Sequence, residues 1–523
     1  MGVEMGRLQT VVAMTLYISA VIVIGLYYAK RANESSANYL IGGRSLGPWV
    51  TAMAAEASDM SGWLLMGLPG VAYWFGLSDA IWTAIGLLIG TYLNWLFVAK
   101  RLRVYSHANN SITIPDFISN RFREKNKIIL TIAALFILVF FSVYAASCFV
   151  TVGKLFSTLF NVKYVYMMIA GALFVVLYTF IGGFLAESAS DFMQGIIMIF
   201  ALTIVAVIGT ASAGGISAVI KNAQSIPGFL EFFGIAQPVV ADGVQQIGEN
   251  GRPLFGEAGR YGLLTVISTL SWGLGYFGMP HILIKFMAIK DPEELSRSRK
   301  IGTIWCAISL FAAVAIGITG RILYPSAFLT RSDSEKIFIL LSTNFLVPFI
   351  AGIVLAGILA ATISSSDSYL LLAASSFSKN IYQGILKKEA SDKEILLTSR
   401  ITLIIISVIA MLIALDENSV IFKVVSFAWA GFGATFGPVI LFSLFWKRVT
   451  RPGAIAGMIT GGSMVFIWNL LLSRLGGIFA IYELLPAFAA SCIAIVVVSL
   501  LSKEPSMEIQ NEFESVIALT EQK

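Results

Sequence analysis

The sequence predicts an all-α integral membrane protein with about thirteen transmembrane helices, and three observations carry that reading. Of its 523 residues, 57% are hydrophobic and 13% charged, about half the charge of a soluble domain. Mean hydropathy is +0.83. Its apolar runs are long enough for helices to cross a bilayer and lack the ten-residue alternation of barrel strands. Two of those runs are interrupted by helix breakers five spans apart, so units of five spans start on opposite sides of the membrane. The core therefore reads as a 5+5 inverted repeat in which the first helix of each repeat is interrupted.

In chain order, hydropathy and breakers place spans one to thirteen at about 8–28, 46–71, 77–99, 127–158, 163–184, 190–211, 262–288, 298–323, 348–379, 397–415, 420–446, 453–473 and 478–501. Leu8 to Tyr28 is too long for a signal-peptide core and no small-residue cleavage site follows, so it counts as a span. Residues 1–45 hold that span and an inner loop, 46–211 the first repeat and 262–446 the second. Residues 447–502 add two peripheral spans. Between the repeats, 212–261 form a polar, Gly-containing outer loop with room for a short helix, and 503–523 a charged, mobile inner tail. Most of the 36 Lys and Arg fall on one side, with the densest group between Lys100 and Lys127. The positive-inside rule then sets the N-terminus outside and the C-terminus in the cytoplasm.

Several functions find no support. The chain has no nucleotide fingerprint or phosphate loop, and nothing that reads nucleic acid or performs catalysis. Cys148, Cys306 and Cys492 lie inside spans as small apolar residues, and His107 and His281 are too far apart in sequence to suggest a metal pair.

The first interruption is "AAEASDMSGWLLMGLPG" (54–70) in span two, where Glu56 and Asp59 precede the helix-weakening Ser61-Gly62. A carboxylate at mid-membrane costs about 3 kcal/mol on insertion scales and needs a reason. The second is "STLSWGLGYFGMPHI" (268–282) in span seven, with Gly273, Gly275, Gly278 and Pro280. Proline removes a backbone donor and clashes with the preceding turn. Unwound backbone at such places frees carbonyls for a cation and aims half-helix N-termini at a carboxylate.

Six motifs extend the reading: "LIGGRSLGP" (40–48), "ASDMSGWLLMGLPG" (57–70), "YTFIGGFLA" (178–186), "WGLGYFG" (272–278), "ILAA" (358–361) and "AWAGFGATFGPV" (428–439). Together they resemble the sodium:solute symporter family, over about residues 8–500, with the first and fourth motifs specific to its proline branch. The resemblance implies a leucine-transporter-type fold and sodium-coupled uptake of L-proline at the cytoplasmic (inner) membrane, with sodium as coupling ion and lipid as surroundings. It places sodium on the backbone oxygens of Ala57, Met60 and Ala361 and the hydroxyls of Ser364 and Ser365. It places the solute against Ser61, Gly62 and Trp63 of span two, Tyr144 of span four, and Trp272, Tyr276 and Pro280 of span seven. An aromatic box suits a secondary ammonium with an apolar ring. Asp59 matches an essential family acid that binds the ion for part of the cycle or accepts backbone N–H bonds from the unwound segment. Asp191, read as starting span six, matches another; Arg44 joins these two as a coupling or gating residue.

Glu56 and Asp367 depart from the family pattern. Glu56 is compatible with proton participation, an extra cation or a structural pair with an Arg or Tyr. Asp367, with Asp191, Ser364 and Ser368, is compatible with a second cation site. Rival readings are a betaine-like or pantothenate-like solute and, from another class, a membrane solute sensor.

Overall fold

A computed structural model describes residues 2–32, 39 and 44–521. Residues 40–43, which open the first motif, lie outside the described residues. Among the described residues, ten helices are long and apolar enough to cross a membrane. Three shorter apolar helices, Trp63–Phe75, Tyr164–Phe180 and Leu263–Gly278, fall in spans two, five and seven. Ten helices thus have the length and composition of a crossing, and a count of thirteen rests on broken or short helices.

Span two starts at Pro48, where a missing N–H costs nothing in a first turn, and runs as regular helix to Asp59. Met60 then leaves helical geometry (φ −83°, ψ 73°), and the chain resumes through a wide π turn, Trp63–Gly67, into Leu68–Phe75. Gly76 ends it at φ +83°, a value suited to glycine; a Cβ there would lie 2.3 Å from the Phe229 carbonyl oxygen. Span seven is helical over Leu263–Leu270, tightens to a 3₁₀ stretch over Ser271–Gly278, turns extended at Met279 and restarts at Pro280–Ala288. Both interruptions thus fall where the sequence weakens the helix.

Each broken span is gripped by helices of the other repeat and of its own. Span three closes on span seven: a Cβ on Gly90 would sit 2.3 Å from the Gly273 carbonyl oxygen. Reciprocally, span eight closes on span two, with the Gly317 Cβ position 2.2 Å from the Pro69 carbonyl oxygen. Gly195 of span six faces Met53 and Ala57 of span two, as Gly433 and Gly437 of span eleven face Gly275 and Gly278 of span seven. Exchanging spans two and seven, three and eight, six and eleven maps one set of contacts onto the other. Small residues let the backbones approach closely without competing side chains.

Three expectations change. Span six begins at Gly183, where a kink (φ 61°, ψ −175°) joins it to span five in one run, Tyr164–Ser212. Asp191 is therefore two turns inside the helix and fully buried, not a helix-start carboxylate. The loop 212–261 does hold a helix, Ile216–Ala223, but it also carries two small antiparallel ladders, Gly234–Ile235 with Gly259–Arg260 and Val240–Ala241 with Val244–Gln245. In place of a mobile tail there is a docked helix, Met507–Glu521. Its Glu508 and Glu512 pair with Arg123, its Glu514 with Lys447, and its buried Phe513 lies under the Arg121 guanidinium. Alternating apolar and acidic positions on one short segment matched a basic face that only folding assembles.

Candidate functional site

The break in span two redirects three carbonyls. In a continuous helix the Ser61 N–H would bond the Ala57 carbonyl; here it bonds Asp59 O at 3.0 Å. The freed Ala57 carbonyl accepts the Ser364 hydroxyl at 2.8 Å, and that hydroxyl lies 3.2 Å from the Ala361 carbonyl. Ser58 O accepts from Tyr369 Oη at 3.2 Å, and Asp59 O from Trp63 Nε1 at 3.3 Å. Beside them the Ser365 and Ser61 hydroxyls are buried without a partner. Ala57, Ala361 and Ser364, expected with Ser365 to share an ion, are thus brought together from two elements some 300 residues apart in sequence. Met60 is fully buried at the same break. The orphaned hydroxyls and the carbonyls near them form a neutral hard-oxygen set, which suits a weakly held monovalent ion.

Asp59 is fully buried; its Oδ2 accepts from the Tyr276 hydroxyl at 2.7 Å while Oδ1 has no partner. The expected backbone N–H partners are replaced by a phenol from span seven. One carboxylate oxygen is therefore tied to the second broken helix, and the other remains available.

In span seven, Pro280 has no N–H for the Tyr276 carbonyl four residues earlier. Asn94 Nδ2 of span three supplies the missing donor at 3.0 Å. Trp429 Nε1 of span eleven donates to Trp272 O at 2.8 Å. The aromatic wall forms around this segment. Trp272 stacks on Tyr482 at 5.0 Å between ring centroids and lies 6.2 Å from Trp63. Tyr276 meets Trp429 edge-on at 5.1 Å. Tyr144 stacks on Tyr369 at 4.2 Å, with its hydroxyl unpartnered. Gly62 brings span two against span four so closely that a Cβ would lie 2.3 Å from Thr151.

Glu56 Oε1 accepts from Trp95 Nε1 at 3.0 Å and Thr91 Oγ1 at 3.1 Å, neither of them the Arg or Tyr expected, and its Oε2 is buried without a partner. Arg44 fastens one end of the bundle. It donates to Met287 O at 2.8 Å, Ser106 O at 3.1 Å and Ser111 O at 2.5 Å, joining the ends of spans three and seven to the loop before span two. At the opposite end Lys154 donates to Glu335 at 2.7 Å and Ser419 O at 2.7 Å, and Glu335 caps the first N–H groups of span eleven.

The four residues expected as a second cation site are divided. Ser364 sides with Ala57, whereas Asp191, Asp367 and Ser368 gather around Lys285 and Glu187. Lys285, Glu187, Asn94, Tyr369 and Trp429 escaped the sequence reading. A signal existed for the first two, because an ionisable residue inside a span marks a functional site by default.

A model of the sodium:solute symporter family matches residues 39–461. The chain belongs to the sodium:solute symporter family. It is 40% identical over 522 residues to the sodium/proline symporter of Staphylococcus aureus (strain USA300), covering 98% of this chain and 97% of that one. The strain COL protein of the same name is 39% identical over the same span. Among solved structures, a sodium-coupled sialic acid symporter in a substrate-bound, outward-open state superposes with a TM-score of 0.75 at 18% identity, over 95% of this chain and 99% of that one. Mhp1, a nucleobase-cation-symport-1 family transporter in a closed conformation, gives 0.50 at 12% identity, over 92% and 99%. At these identities the structures show a shared fold. Family membership makes the chain a multi-pass symporter that couples sodium to a solute, and not an enzyme.

Proposed function

We propose that this symporter takes up L-proline with sodium across the cytoplasmic membrane by alternating access. The observation that carries the reading is the junction at Asp59. One oxygen is held by Tyr276 of the aromatic wall, and the peptide beside it offers the Ala57 carbonyl to Ser364. Sodium, as cargo, binds between Ala57, Met60, Ala361, Ser364 and Ser365, and Asp59 helps it enter. Binding orders the broken segment of span two, so that Ser61, Gly62 and Trp63 face the carboxylate while Tyr144, Trp272, Tyr276 and Pro280 cover the ring. Solute and ion thereby stabilise the same arrangement, which makes their coupling reciprocal. Arg44 closes the inner side, and the N-terminus lies outside, in keeping with the basic loops. The names of the Staphylococcus aureus relatives support proline as the solute.

The test is uptake of labelled L-proline into proteoliposomes with and without an inward sodium gradient, with betaine, pantothenate and sugars as competitors. Proline should accumulate only with the gradient and outrank every competitor. Uptake indifferent to sodium, or a competitor ahead of proline, overturns the reading.

A further inference from the structure

Lys285 lies on the second half of span seven, five residues past Pro280, and is fully buried. An ammonium in that position is tolerated only when fully paired, and this one is. Its three donors meet Glu187 Oε1 at 2.5 Å, Asp191 Oδ2 at 3.2 Å and Ser188 Oγ at 3.2 Å, and it sits 4.6 Å from the centre of the Phe184 ring. The Ser368 hydroxyl donates to the same Glu187 oxygen, and Asp367 Oδ1 accepts the Ser368 N–H. Ser368 stands one helical turn beyond Ser364, so this cluster adjoins the helix face that meets Ala57.

We propose that Lys285 is a tethered cation occupying the place among Asp191, Glu187 and Ser368 that a second sodium would need, so that this symporter binds one sodium per cycle. A hard cation there requires the carboxylate and hydroxyl oxygens that already face the ammonium or its partner Glu187. The ammonium is attached to the half-helix that begins at the break in span seven. Its charge therefore never leaves the protein and contributes nothing to the transported charge. Removing it leaves three buried carboxylates, Glu187, Asp191 and Asp367, two of them with an oxygen already unpartnered. Such a pocket accepts the free cation that Lys285 now excludes.

The inference rests on the sodium site of the proposed function but not on the identity of the solute, and its test uses none. Radioactive sodium binding is counted on purified protein by equilibrium dialysis. Wild type should bind one sodium per chain, and Lys285→Arg, which keeps a cation, should also bind one. Lys285→Gln should bind two, with a Hill coefficient above one, and Lys285→Gln combined with Asp191→Asn should return to one. Two sodium ions on wild type, or one on a folded Lys285→Gln, overturns the proposal. Lys285→Met, of similar length, replaces Lys285→Gln where that variant does not fold, and the wild-type count decides if neither is recovered. A wild type that binds no sodium overturns this inference together with the site at Ala57 and Ser364. Proline transport failing while one sodium still binds strikes only the choice of solute.

Discussion

The two broken spans occupy corresponding places in the two repeats and both give displaced carbonyls to side chains, yet they differ in the buried groups left without partners beside the break. In span seven the carbonyls of Trp272 and Tyr276 are each satisfied by a side chain from a neighbouring span, Trp429 and Asn94. At the break in span two Ser61 Oγ and Asp59 Oδ1 have no partners, and neither has Ser365 Oγ, next in sequence to the Ser364 that meets Ala57. Beside span seven the unpartnered groups are the His281 imidazole and Asn94 Oδ1; beside span two they are oxygens that include a carboxylate. An unsatisfied buried group costs about 1–3 kcal/mol, so a cation that met these oxygens would recover part of that cost.

Asp59→Asn should break the comparison most severely. It keeps an oxygen for the Tyr276 hydroxyl but removes the charge, so sodium-driven uptake should fall at least a hundredfold while the protein still inserts and binds lipid normally. Asp59→Glu should retain more activity, with a poorer apparent sodium affinity. Uptake measured across sodium concentration for both variants checks this; an active Asp59→Asn would move the essential charge elsewhere.

Ser364→Ala with Ser365→Ala removes the hydroxyl on the Ala57 carbonyl and the unpartnered one next to it in sequence. Apparent sodium affinity should fall at least tenfold, about 1.4 kcal/mol. Solute binding at saturating sodium should largely recover. Unchanged sodium dependence would show that these hydroxyls serve only their own helix.

The break in span seven calls for the opposite result. Trp429→Phe keeps the ring against Tyr276 but leaves the Trp272 carbonyl without its donor. The expected loss is about 1–2 kcal/mol of stability, read as a lower melting temperature in detergent, with sodium affinity within twofold of wild type. A tenfold fall in sodium affinity would instead make span seven part of the ion site.

Glu56→Gln should be the mildest. The amide oxygen still accepts from Trp95 and Thr91, so uptake and its dependence on sodium and pH should stay within twofold of wild type. Uptake that follows external pH at fixed sodium and is lost in Glu56→Gln would make Glu56 a proton carrier.

Composition and run length alone pointed to a helical membrane protein. Both breaks were legible as well, because Ser61-Gly62, the glycines of 273–278 and Pro280 act through their own backbone. Ser364 and Ser365 were named only through the family resemblance, and Ser364 is the one that folding sets on the Ala57 carbonyl. Other features were decided by the tertiary structure. Tyr276 reaches Asp59 across 217 positions, and Asn94 reaches the carbonyl that Pro280 strands across 182. Lys285 reaches Glu187 and Asp191 across 98 and 94 positions, and the tail finds its basic face on Arg121, Arg123 and Lys447. The physical reason is one of range. Whether a helix can continue depends on dihedral angles and donors within a few residues, which a sequence states outright. Which donor completes which buried oxygen depends on ångström-scale distances between helices, and these exist only once the bundle has packed.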